Sequence, residues 1–532
     1  VKTNSRFHVA KRIALVLLVL AVGTALAATD LDTTTPIKHL VVIYQENHSF
    51  DAYFATYPLA VNPPGQPAFH ARPETPSVNG LTPALLERNP NSSNPFRIDR
   101  LQSFTCDQDH DYTAEQRARN GGLMDKFPRF DAQGPTDPRQ FCHKGSDGQW
   151  DTLMGYFDGN TVTALWNYAQ HFALSDNSFA TMSGQSTRGA LNLTAGDTFG
   201  VLCGPLDSVF GDVPECGPPV SSTSTPAPTN GKLGTFVDDT DPYWDVCSQG
   251  STAAMTGRNI GDLLTAARVT WGWFQGGFTR TGDGGCSSSH PLEAFDRAVG
   301  VDPATDPLRF IDYVPHHNPF QYFASTANPL HLPPTSVAMV GKTDQANHLY
   351  DLTWFWRAAR AGNLPAVSFL KAPAYQNGHP GNSNPLDEQV FLVTVLNFLQ
   401  QLPEWRNMAV IIAFDDSDGW YDHVMPPIIN QSNTPLDFLC GSRTDGPGAR
   451  CGYGPRLPLL VISPWAKENY VSHTLTDQTS ILRFIEDNWL GGKRISPISF
   501  DNIAGSLLDM FDFFFPNPRR LRLDPTTGLP QR

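Results

Sequence analysis

Five continuous apolar runs stand out along the 532-residue chain, at 40–44, 269–274, 366–370, 409–414 and 457–463. None alternates apolar with polar side chains, so each predicts a strand buried on both faces, as in a parallel sheet covered by helices. Between them, apolar residues fall at helical spacing over 164–173, 189–194, 387–402 and 479–489, with Thr476 or Asp477 placed to cap the last. The two patterns alternate from about residue 36 to 515, which predicts a layered α/β domain. Stretches rich in Pro, Ser and Asn at 61–94, 217–231 and 426–453 interrupt the alternation without ending it, and read as loop insertions. Residues 516–532 are basic and Pro-containing, and read as a surface tail.

The first residues follow another logic. Lys11-Arg12 precede an apolar run over 13–22, and Ala25-Leu26-Ala27 stand before Ala28. A basic stretch, a short apolar run and an Ala-x-Ala site predict a secretory signal peptide over 1–27, with a single domain over 28–515 and a secreted or periplasmic product. The run is short of the roughly 20 apolar residues a membrane span needs, and no later segment supplies one, so stable membrane insertion is not expected. All eight cysteines lie beyond the signal and no CxxC pair occurs, which favours disulfides over metal thiolates. Cys203 with Cys216 and Cys440 with Cys451 each bracket a Gly/Pro-rich loop, and Cys106–Cys142 with Cys247–Cys286 complete a set without nesting.

Composition adds two constraints. Hydrophobic residues at 40%, with 33 Phe and 11 Trp, suffice for a large core. The formal charge is −14, and about −18 once Lys2, Arg6, Lys11 and Arg12 leave with the signal, which disfavours nucleic acid as a partner.

Candidate chemistry sits at the ends of strands. Glu46-Asn47-His48-Ser49-Phe50-Asp51 follows the first apolar run, and Asp415-Asp416-Ser417-Asp418-Gly419-Trp420-Tyr421-Asp422-His423 follows the fourth. Acid-rich turns at the carboxyl ends of parallel strands meet on one rim of the sheet, where ligands bind in such folds. Carboxylate and amide oxygens suit a hard or borderline divalent cation. Ser186, in Ser183-Gly184-Gln185-Ser186-Thr187-Arg188-Gly189-Ala190, stands before a helical stretch whose unpaired N–H groups can hold phosphoryl oxygens, and a metal-bound hydroxyl there becomes a nucleophile. A plain N-cap serine is the alternative, and Thr187 is a competing hydroxyl. His110, His316-His317 and His379 lie in polar loops, where imidazoles can contact phosphoryl oxygens or protonate a leaving group.

Taken together, 45–50, 184–190, 378–388, 413–424 and 452–466 resemble the bacterial phosphoesterase family of AcpA-type acid phosphatases and non-haemolytic phospholipases C. The resemblance implies an alkaline-phosphatase-like α/β fold, a mostly parallel central sheet sandwiched by helices with long loop insertions. It implies a divalent metal ion on Glu46, Asn47, Ser186, Asp415 and Asp416, with Ser186 the nucleophile and His110, His317 and His379 facing the phosphate. The implied substrate is a small phosphate ester or a phospholipid headgroup. Gln185 and Arg188 depart from the pattern by standing where relatives carry Pro, and Arg188 reads either as exposed or as an added phosphate contact. The Asp415-Asp416 pair and Asn377-Gly378-His379-Pro380-Gly381 look closer to the phosphatases than to the phospholipases. A sulfatase reading fails because Cys203-Gly204-Pro205-Leu206-Asp207 lacks the required Arg, and no Gly-x-Ser-x-Gly or His-Glu-x-x-His segment occurs.

Overall fold

All five apolar runs become strands of one eight-stranded sheet. In chain order its strands are β1 (His39–Gln45), β2 (Ala173–Ser175), β3 (Trp271–Gln275), β4 (Leu349–Asp351), β5 (Val367–Lys371), β6 (Met408–Phe414), β7 (Leu459–Ile462) and β8 (Tyr470–Ser472). They lie side by side as β4-β3-β5-β1-β6-β7-β2-β8. The computed structural model describes residues 32–205, 209–210, 214–220, 222–223, 233–236, 238–429 and 452–531. The expected signal segment and the Cys440–Cys451 pair lie outside these residues.

Central β1 pairs in parallel with β5 on one side and β6 on the other. Every residue of β3, β5 and β6 is buried, which is why these strands read as unbroken apolar runs. The sheet is mostly parallel, with one exception: β7 runs antiparallel to both β6 and β2. Burial on two faces erases alternation whichever way a strand points, so the sequence carries no sign of this reversal.

Seven helices matter for the site and its supports: α1 (Phe50–Phe54), α2 (Tyr112–Ala118), α3 (Thr163–His171), α4 (Ser186–Ala195), α5 (Leu352–Arg360), α6 (Pro385–Leu399) and α7 (Thr479–Trp489). Apolar residues of α3, α5, α6 and α7 share one core cluster with the sheet. Ala173, expected at the end of α3, instead starts β2, because Phe172 leaves helical geometry at φ −133°, ψ −149°. Asn384 caps α6 by accepting from Leu386 N and Asp387 N. The N-cap of α7 is Gln478 rather than the expected Thr476 or Asp477, and it makes no side-chain cap, although Asp477, one residue earlier, accepts from Thr479 N at 2.6 Å.

Three of the four expected disulfides, Cys106–Cys142, Cys203–Cys216 and Cys247–Cys286, are formed. The expected surface tail is corrected by the structure: Leu521 and Leu523 are buried, and this end of the chain is bonded along α6. Among the described residues no helix is long and apolar enough to cross a membrane.

Candidate active site

Parallel pairing brings the two acid turns together. Gln45 at the end of β1 lies opposite Phe414 at the end of β6, so Glu46-Asn47 and Asp415-Asp416 leave the same sheet edge side by side. Asn47 takes the left-handed conformation at φ 53°, and its backbone N–H donates to Asp415 Oδ1 at 3.3 Å. All four side chains are buried.

Helix α4 delivers the serine. Ser186 is its first residue, and the preceding Gln185 has φ −64°, the angle a proline would impose, so losing that proline keeps the turn. Gly189 explains how closely the helix can approach: a Cβ there would lie 2.1 Å from the Asp415 carbonyl oxygen. Ser186 Oγ donates to Asp416 Oδ2 at 3.0 Å and lies 3.4 Å from the Asn47 amide. The Thr187 hydroxyl points instead to the His316 carbonyl, and Thr187 N donates to Asp239. Arg188, for which exposure was one reading of the sequence, is fully buried with its guanidinium against Gly184.

One corner of the Asn47 amide lies 3.1 Å from both Asp415 Oδ1 and Glu46 Oε2. As NH2 that corner donates to both carboxylates, while the amide oxygen accepts from His379 Nε2 at 3.2 Å. Turned over, the amide oxygen joins Glu46 Oε2, Asp415 Oδ1, Asp416 Oδ2 and Ser186 Oγ in a set of five oxygens, the donor set a hard divalent cation takes. Charge agrees with this fit. Burial, then neighbouring Asp415, pushes the Glu46 carboxyl well above the usual range against the pull of Lys371. Burial likewise raises Asp416 far above it, with Asp415 adding to the effect and His110 opposing it. Carboxylates this crowded and desolvated need cations nearby.

The histidines divide around this centre. His317 Nδ1 is 3.1 Å from Glu46 Oε1, and burial followed by Lys371 holds its imidazole well below the usual range. His110 Nδ1 bonds Gln108 O at 2.8 Å and lies 3.2 Å from Asp418 Oδ1. Burial opposes its imidazolium, but Asp416 and Asp418 outweigh burial and raise it well above the usual range. His379 stands edge-on to His110, with ring centroids 6.2 Å apart. His316 turns elsewhere, to Asp241 at 3.1 Å and Asp239 at 3.9 Å. The structure thus gathers Glu46, Asn47, Ser186, Asp415, Asp416, His317 and His379 directly, with His110 joined through Asp418 and His379.

Lys371 and Glu115, which no sequence motif singles out, and Asp418, from within the second acid turn, complete the site. Lys371, closing β5, forms ion pairs with Glu46 Oε1 and, at 3.1 Å, with Asp415 Oδ2. Glu115 on α2 accepts from Gly184 N at 2.8 Å and from Ser417 Oγ at 2.6 Å, tying the serine turn to the acid turn. Asp418 accepts from Trp420 Nε1 as well as facing His110. A lysine ending the buried strand Val367-Ser368-Phe369-Leu370-Lys371 is the one signal the chain offers for it. The outer residues of the two motifs, Asp51 and Asp422-His423, join each other and Arg456 in a buried network that fixes the turns rather than lining the oxygen set.

The chain is 25% identical over 500 residues to the non-hemolytic phospholipase C of Pseudomonas aeruginosa, covering 90% of this chain and 58% of that one, so it spans about three-fifths of the relative's length. It is 25% identical over 499 residues to phospholipase C A of Mycobacterium tuberculosis, covering 91% and 78%. Among solved structures, a protein in the alkaline phosphatase superfamily from Vibrio parahaemolyticus aligns over 90% of this chain and 75% of its own, at 11% identity and a TM-score of 0.29. The sequence profile of the Phosphoesterase family matches residues 37–490, most of the chain, and the chain belongs to that family.

Proposed function

We propose that the chain is an exported, metal-dependent phosphoesterase acting through a phosphoserine on Ser186, with phosphomonoesters, as for an acid phosphatase, its first substrate class. The observation that carries this is the 3.0 Å hydrogen bond from Ser186 Oγ to Asp416 Oδ2, made at the start of a ten-residue helix beside the three further oxygens of Glu46, Asn47 and Asp415. Glu46, Asn47, Ser186, Asp415 and Asp416 would hold the divalent ion, which when bound supplies a lowered hydroxyl pKa and neutralises phosphoryl charge. Ser186 passes its proton to Asp416 and attacks phosphorus in line. As the Oγ–P bond forms, the ester P–O bond breaks, and an imidazole, that of His379, protonates the departing oxygen. Water then gives a proton back to that imidazole and attacks the same phosphorus, releasing phosphate while Ser186 regains its proton. The positive end of the α4 dipole and the His110 imidazole hold the phosphoryl oxygens. Export is supported by three formed disulfides, which persist in oxidising compartments.

A second reading, hydrolysis of a phospholipid headgroup ester, is favoured by the names of the curated relatives. The exposed Phe514 and Phe515 do not serve it directly. Their segment is bonded through Asp512 N to Trp465, whose ring nitrogen bonds Arg406 before the start of β6, so they lie at the sheet edge opposite Ser186. The deciding experiment runs p-nitrophenyl phosphate, its bis-ester and phosphatidylcholine vesicles in parallel on purified protein, with acid quench and mass spectrometry to locate bound phosphate. Label on Ser186 and preference for the monoester are expected. Preference for the vesicles would move the assignment to a phospholipase C, and net inversion with a chiral phosphate ester would exclude the phosphoserine.

A further inference from the structure

We propose that Lys371 is a built-in cation of the metal centre, a positioning residue that makes Glu46 and Asp415 each offer one oxygen to the ion and balances the third carboxylate charge. This rests on the metal-dependent reading above and adds a residue outside that ligand set. Lys371 ends β5, and its side chain is 1% exposed, with the ammonium 5.2 Å from the centre of the Tyr44 ring. Burying an ammonium is costly unless oppositely charged groups surround it, and both of its ion partners belong to the oxygen set.

The carboxylate oxygens divide cleanly. Glu46 Oε1 and Asp415 Oδ2 face Lys371, while Glu46 Oε2 and Asp415 Oδ1 face the Asn47 amide, each at 3.1 Å. His317 Nδ1, at 3.1 Å, adds a second contact on the Glu46 Oε1 side. Neither carboxylate can therefore turn both oxygens inward without giving up the ammonium. Glu46, Asp415 and Asp416 together carry three negative charges when ionised, and one fixed ammonium leaves two, which one divalent ion neutralises. A side chain that only filled space at the end of β5 would need no charge, and a methionine would fit there without the desolvation cost.

The proposal predicts how Lys371 couples to metal. Without the ammonium the buried carboxylates hold one more uncompensated negative charge, so the stripped protein is less stable and attracts a divalent ion more strongly. Wild type, Lys371→Met and Lys371→Gln are stripped with chelator and titrated with Mn2+ or Ca2+, following the half-saturating concentration and the rise in Tm. Both variants should bind at least about tenfold more tightly and show a larger metal-induced rise in Tm than wild type. Folding of a variant only with the ion present would support the coupling in its extreme form. Metal binding within about threefold of wild type, with Tm lowered equally in stripped and loaded protein, would overturn the proposal and leave the metal reading standing. Absence of any metal response in wild type would overturn both. Failure of both variants to fold even with the ion bound would overturn the proposal too, because the ion could not then stand in for the ammonium.

Discussion

Ser186 and Thr187 are neighbouring hydroxyls on one helical turn, and the rotation of about 100° between successive helical residues separates their fates. Ser186 meets Asp416 and Asn47, whereas Thr187 faces the His316 carbonyl. Ser186→Ala should therefore lose at least about three orders of magnitude in kcat yet keep phosphate binding, while Thr187→Ala should stay within about tenfold of wild type. Steady-state kinetics with phosphate inhibition separates the two, and the reverse order would move the nucleophile to Thr187. Asp415→Ala should strip the metal along with most of the activity, read by elemental analysis of the dialysed protein; retained metal would refute the assignment. The acid turns were legible because they follow long apolar runs, where exit residues converge in any parallel sheet. Glu115 was not, since its work depends on a contact across 302 residues to Ser417, and the partner of Asp418 within its turn was not, since that ring is brought in by the 107–110 loop. Gly419 admits that loop, for a Cβ there would lie 2.5 Å from the Asp109 carbonyl oxygen.

At the level of elements, α7 carries a feature that no hydrophobic pattern reveals. Burial, then the neighbouring Asp501 carboxyl, pushes the Glu486 carboxyl up to about 9, against the pull of Arg494 at 3.0 Å. An acid whose pKa is raised on folding holds its proton in the folded state while the unfolded chain releases it. The stability it contributes is complete below about pH 4.5 and is lost as pH rises towards about 9. Glu486→Gln, which keeps the protonated shape, should match wild type in Tm near pH 5 and exceed it near pH 9; a constant difference across that range would exclude a raised pKa at Glu486. The long strands were readable because short, mostly apolar runs without alternation fit an element covered on both faces and suit neither a loop nor an amphipathic helix. The three-residue strands β2, β4 and β8 were not, as three residues show no period and gain their identity only from the strands beside them.

Across the whole molecule, the C-terminal segment closes the domain rather than trailing from it. Three amides on or just after α6, Gln389, Asn397 and Gln400, bond its backbone. Gln400 donates to Leu521 O at 2.8 Å and accepts from Leu521 N at 2.7 Å, and Asn397 does the same for Leu523 at 2.7 and 3.1 Å. Gln389 donates to the carbonyls of Pro525 and Thr526, and Asn167 on α3 reaches Gly528. The segment thus crosses from α6 to α3, two helices that share the core with the sheet. Basic residues and prolines disguised this role, because backbone groups bound by side-chain amides leave no apolar period in the segment itself. Ending the chain at Pro518 would leave these amides without their partners, at roughly 1–3 kcal/mol for each one that stays buried, and would lose the burial of Leu523, about 2 kcal/mol. The shortened protein should melt many degrees below the full chain and unfold at lower urea. Its kcat at low temperature should change by less than about twofold, because the Asn384 cap that starts α6 and the loop carrying His379 lie outside the deleted contacts. An unchanged Tm would show that the segment only rests on the surface, and a collapse of kcat with Tm preserved would place it in the site instead.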